Sequence, residues 1–242
     1  MKPEMTTLQE LEIFEQDAFK RADIKLLDLS LHLLKDHRMA VIPHSTGLAR
    51  LVNLLHWDAS ENLEYLDGEG VLADQIIHFA VHHVMNRFNQ CNTAKGMLFA
   101  ECMASAADVY LVGKLSQAGE ETDFLQDTLE SFSTYYEMYA VDETHLELML
   151  STILEQPFKA MMDLANYLFQ FGSALLGAQP DLEKLIQLQD HFSYPLVHHY
   201  NISNWILTIR SKFPGFDDAE PDLSTIRTRF CHSENTFLEQ FQ

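Results

Sequence analysis

Apolar residues recur at helical spacing along most of the chain. Over residues 72–88, Ala73, Ile77, Ala80, Val84 and Phe88 follow one another at spacings of 4, 3, 4 and 4, which lines one face of a helix. Ile202, Ile206, Ile209 and Phe213 do the same over residues 195–213, a segment opened by Pro195 and halted at Pro214-Gly215. Pro157 opens another long helix that Gly177 stops, and Pro180 opens a shorter one to about residue 189. Residues 8–35 read as one bent or two consecutive amphipathic helices, residues 45–55 as a short helix, and residues 57–70 as an acidic loop. Two more helices fill residues 120–139 and 142–156, the second ending where Pro157 cannot continue it. No run alternates apolar and β-branched residues between hairpin turns, so strands are not predicted. The pattern predicts an all-α fold, a single antiparallel bundle of about seven to nine helices over residues 1–242. Residues 214–242 read as a loosely attached acidic tail.

The segment from Gly96 to Gly113 breaks the amphipathic rule. It is apolar or small at nearly every position, with Asn92 and Thr93 ahead of it as candidate caps, yet it carries Glu101 and Asp108. A helix that apolar around its circumference is expected inside the bundle. A carboxylate held there is costly unless a cation, a metal or a hydrogen-bond donor meets it. Glu101, Ser105 and Asp108 follow at spacings of 4 and 3 and share one face, while Ala100, Ala104 and Ala107 allow another helix to approach closely. Glu101 and Asp108 lie about 10.5 Å apart along the axis, too far to bind one ion together. Glu101 is therefore the leading acidic ligand or general base, acting with groups from other helices.

Histidine supplies the candidate companions, with 12 in 242 residues. His78 and His82 lie one helical turn apart, a spacing that lets two imidazoles bind one metal. Their strip lies away from the Ala73-Ile77-Val84 face, which favours a wet or half-wet position unless a second layer of helices covers that side. Stepping back from Ile202 by 3 or 4 lands on His199 and His198, so one of them is expected to point inward, where a lone histidine is more often structural than ligating. Tyr135, Tyr136, Glu137 and Tyr139 crowd hydroxyls around an acid, making Tyr136 and Glu137, with Asp108, candidates for a ligand-binding wall. Lys159 and Asp163 read as a surface i,i+4 pair, and Asp217, Asp218 and Asp222 as a solvated loop.

Charge narrows the partners. Sixteen basic against 36 acidic residues give a formal charge of −20, which repels phosphate backbones and anionic lipid headgroups, so neither nucleic acid nor membrane is expected. Cys91, Cys102 and Cys231 form no C-x-x-C pair and read as reduced thiols. With no signal-like amino terminus and no uncharged membrane-length run, a cytoplasmic protein is expected.

Among motifs, Glu-x-x-His, His-Glu-x-x-His, the Gly-rich phosphate loop and Gly-x-Ser-x-Gly are all missing from the sequence. In size, helix count and acidity the chain resembles ferritin-like bundles and the bundles shared by haem oxygenase and thiamin-degrading enzymes; the likeness is one of architecture and no motif carries it. The expectation is a bundle whose interior polar site binds a small molecule or a metal, with metal-dependent oxidoreductase chemistry as its furthest extension. Its ligands would be Glu101, His78, His82, His198 or His199, suited to iron, manganese or zinc. The alternative is a non-catalytic acidic protein that docks a basic partner. Self-association as a homodimer is compatible with either.

Overall fold

The computed structural model describes residues 4–7, 24–36, 38–41, 49–52, 65–67, 73–119, 123–138, 143–177, 196, 199–200, 202–214 and 223–242. Its body is the expected all-α bundle. The helices are α1 (Lys25–Leu34), α2 (Ala73–Met85), α3 (Ala94–Ala118), α4 (Asp123–Met138), α5 (Glu143–Glu155), α6 (Pro157–Gly177), α7 (Ile202–Lys212), α8 (Ser224–Cys231) and α9 (Glu234–Leu238). The helix expected over residues 180–189, His198, and Asp217, Asp218 and Asp222 lie outside the described residues.

Helix α3 is the axis around which the others pack. The Thr93 hydroxyl accepts from the Gly96 N–H at 3.0 Å and caps its start, and Gly119, at φ 70°, closes its end in the left-handed conformation that glycine adopts without strain. The helix therefore runs past Gly113, where the composition pattern stops, to Ala118. It is long and apolar enough to cross a membrane, but 89% of its most apolar window is buried by its neighbours, which makes it a core helix. Helices α2, α4, α5, α6 and α7 all touch it.

Close packing against α6 follows from small residues. A Cβ placed at Gly113 would meet Pro157, and one placed at Gly172 would meet Leu98. These two contacts, at opposite ends of the pair, also establish that α3 and α6 run antiparallel. Arg210 of α7 then covers the exposed end of α6, donating to the carbonyls of Leu175 at 3.3 Å and Leu176 at 2.6 Å, which no intrahelical N–H reaches. The Ile202, Ile206 and Ile209 stripe of α7 is buried as its spacing predicts, though the helix starts at Ile202 and not at Pro195. Lys159 and Asp163 form the expected surface pair at 2.6 Å.

Two expectations need correction. The carboxy-terminal residues 223–242 are not a loose tail, because Phe230, Phe237 and Phe241 are fully buried, with Phe230 against Phe88 and Phe237 against Phe158. A capping box between Ser233 and Thr236 breaks the chain sharply enough to lay α8 and α9 against the bundle. Four short strands add a small sheet to the helical body: β1 (Glu4–Thr7), β2 (Arg38–Val41), β3 (Ala49–Val52) and β4 (Tyr65–Asp67), in the order β1-β2-β4-β3. β1 and β2 pair antiparallel, β2 and β4 parallel, and β3 and β4 antiparallel. Thus β3 replaces part of the helix expected over residues 45–55, and β4 lies within the expected loop.

Candidate metal centre

Helix α2 packs between α1 and α3, so it has two covered sides where an amphipathic helix has one. Ile77, Ala80 and Val84 are buried as their spacing predicts, and so are Ile76, Val81 and Met85. This second layer brings the histidine strip inside. His78 is buried, which corrects the wet or half-wet placement that the apolar pattern favours, while His82 is half-buried within that expectation.

Both imidazoles face Glu101 of α3, which is 2% exposed and thus lacks bulk water to stabilise its charge. His82 Nε2 is 2.8 Å from Glu101 Oε2, and His78 Nε2 is 3.8 Å from Oε1. The two rings are 4.9 Å apart between centroids, tilted by 54°. Ser105, one turn further along α3, donates its hydroxyl to Oε1 at 3.4 Å. Nε2 of His78 is buried and has no hydrogen-bond partner among the described residues. One ligand atom from each of His78, His82 and Glu101 lies within 4.8 Å of the others.

Charge is incomplete at this point. Burial pushes the His78 imidazole down to about 4, helped by His82 and opposed by the Glu101 carboxylate and the Ala104 backbone. Burial alone would raise the Glu101 carboxyl, but His78, His82 and Ser105 together outweigh it and hold the group below the usual carboxylate range. At neutral pH Glu101 is therefore ionised beside a neutral His78. Two imidazole nitrogens and a carboxylate form a donor set that a divalent transition metal accepts.

Folding is coupled to these protons. Below pH 6.5 an unfolded His78 takes up a proton that the folded one refuses until about pH 4, so stability falls as the pH drops across that window. Glu101 acts in the same direction below its ordinary value of 4.5, since its ionised form is the one the fold favours. The His78 contribution amounts to on the order of 3 kcal/mol over the window, at about 1.4 kcal/mol per pH unit. Thermal melts of metal-free protein are expected to show this loss, and His78→Gln to flatten it. An equal pH slope in parent and variant would contradict the assignment.

The remaining candidates lie elsewhere. His199 accepts from or donates to the Ser131 hydroxyl through Nδ1 at 2.9 Å, and its ring meets Phe132, Tyr135 and Tyr200 edge-on. Burial lowers its proton affinity, and it stands outside the group around Glu101. It packs against α4 from just ahead of α7, and no sequence signal links Ser131 to it. Asp108 is half-buried and also outside the group. Tyr136 is buried and its hydroxyl is pushed up to about 12, so it stays neutral, whereas Glu137 is exposed and walls no interior site. Cys91 and Cys102 are buried free thiols, kept protonated by burial.

Comparison of the chain with protein-family models, with curated proteins and with solved structures finds no match.

Proposed function

We propose that the chain is a metal-binding protein whose centre is His78, His82 and Glu101, and that the bound metal carries oxidoreductase chemistry. The observation that carries this reading is a buried Nε2 on a neutral imidazole, without a hydrogen-bond partner among the described residues, that faces a buried ionised carboxylate with a second imidazole on its other oxygen.

Distances support it. Metal–nitrogen and metal–oxygen bonds of about 2 Å place neighbouring donors roughly 3 Å apart. His82 Nε2 is already 2.8 Å from Oε2 and His78 Nε2 3.8 Å from Oε1, and with one donor atom from each residue the set spans no more than 4.8 Å, so closure needs side-chain movements of up to about 2 Å. Two imidazoles and one carboxylate are the ligand set of mononuclear non-haem iron centres, and manganese and zinc accept the same donors. Phe79 occupies the place where helical His-Glu-x-x-His zinc sites hold their glutamate base, which weighs against metal-assisted hydrolysis of that kind.

The test is elemental analysis of protein purified without an affinity tag, with melting curves before and after adding Fe(II), Mn(II) or Zn(II). About one metal per chain is expected, with stabilisation near 2.7 kcal/mol when free metal stands at 100 times its Kd. Sub-stoichiometric metal together with unchanged melting for all three ions would overturn the proposal.

A further inference from the structure

Ser105 differs from several helical hydroxyls of this chain, and unlike Ser151, whose bond to the Glu155 carboxylate is exposed, it makes its side-chain bond in the interior. Ser133, Thr134, Thr152 and Thr228 each donate to the backbone carbonyl four residues back, the usual local bond of a hydroxyl inside a helix. Ser105 is also four residues beyond its partner, yet it donates to the side chain of Glu101. It is buried, so the bond is made without competition from bulk water.

The choice of oxygen matters. Oε2 of Glu101 is engaged by His82, while Oε1 is the oxygen that faces both His78 and the Ser105 hydroxyl. A glutamate side chain has three rotatable bonds before its carboxylate, and an anchor on one oxygen removes most of that freedom. Ligating carboxylates are themselves hydrogen-bonded for this reason, since the second partner fixes which oxygen faces the ion and at what angle.

We infer that Ser105 is a positioning residue of the centre: its hydroxyl holds the Glu101 carboxylate in the orientation that binds the metal. This rests on the reading of His78, His82 and Glu101 as ligands. Around the rest of α3 the neighbouring positions are alanines, so Ser105→Ala leaves a packing already common on that helix.

Titration of chelator-stripped parent, Ser105→Ala and Ser105→Thr with Co(II), followed by visible absorption, tests the inference. Ser105→Ala is expected to bind Co(II) roughly 10- to 100-fold more weakly and to show a shifted visible spectrum at saturation, with the metal-free protein still melting cooperatively. Ser105→Thr, which keeps the hydroxyl, is expected to restore both affinity and spectrum. Equal affinity and spectrum in parent and Ser105→Ala would overturn the positioning role while leaving the metal centre standing. Weakened binding with an unaltered saturated spectrum would overturn it too. Failure of the parent to bind Co(II) at all would remove the centre itself, and the inference with it.

Discussion

Glu101→Ala is expected to lose metal affinity by about 1,000-fold or more, equivalent to roughly 4 kcal/mol at 1.4 kcal/mol per factor of ten. The substitution removes the sole carboxylate of the group, and with it the negative charge that attracts a divalent ion into a buried setting. Two imidazoles remain, and they bind the same ions with fewer donors and without the carboxylate's charge. In the metal-free protein the change has a smaller effect of mixed sign. His82 loses its acceptor, but a buried carboxylate and its desolvation cost disappear as well. This separates the variant from one that simply unfolds: isothermal titration with Zn(II) should show the loss while the metal-free melting curve stays cooperative. Parent-like affinity in the variant would contradict the ligand assignment.

Gly113→Ala is expected to destabilise the fold by about 4 kcal/mol, above the usual range for overpacking. The new Cβ would overlap the Ile153 carbonyl oxygen and stand 2.6 Å from Pro157 Cγ and 2.8 Å from Pro157 Cβ. None of those atoms belongs to a flexible side chain, so relief requires moving the start of α6 away from α3. The helix-propensity gain of alanine over glycine, about 1 kcal/mol, does not offset this. Gly172→Ala supplies the internal comparison. Its Cβ would meet the Leu98 methyls at 2.8 and 3.0 Å, which can turn aside, so a cost of about 1 kcal/mol or less is expected. Denaturant midpoints for the two variants check the contrast, and equal losses would show that the α3–α6 contact is softer than its geometry implies.

Much of the helical body is written in local patterns. The ends of α5 and α6 follow from Pro157 and Gly177, the start of α3 from Thr93, and the buried stripe of α7 from its isoleucines. Burial of most of α3 is equally legible from its apolar circumference, whereas its Glu101-Ser105-Asp108 strip is as compatible by spacing with a solvent-facing edge as with an interior site, and the structure buries Glu101 and Ser105 and half-buries Asp108. What spacing cannot convey is the number of layers around a helix. A single apolar face on α2 is visible in the sequence, but its second covered side belongs to the arrangement of α1, α2 and α3, and that side holds His78 and His82.

The strands fail for a different reason. Each has three or four residues, too short for a two-residue period to stand out, and β2 pairs with β4 across more than 20 intervening positions. The carboxy-terminal helices were hidden by their polar composition, because α8 carries two arginines and two threonines around its buried Ile226 and Phe230. At the site, the face shared by Glu101 and Ser105 is readable from spacing. The opposition of that face to His78 and His82 is a tertiary fact.

Anomalous scattering from crystals loaded with Co(II), recorded at the cobalt absorption edge, tests the central claim most directly. The account predicts a single strong peak about 2 Å from Nε2 of His78, Nε2 of His82 and a carboxylate oxygen of Glu101. A cobalt peak bound only by other residues, or no peak between α2 and α3 at saturating Co(II), would contradict it.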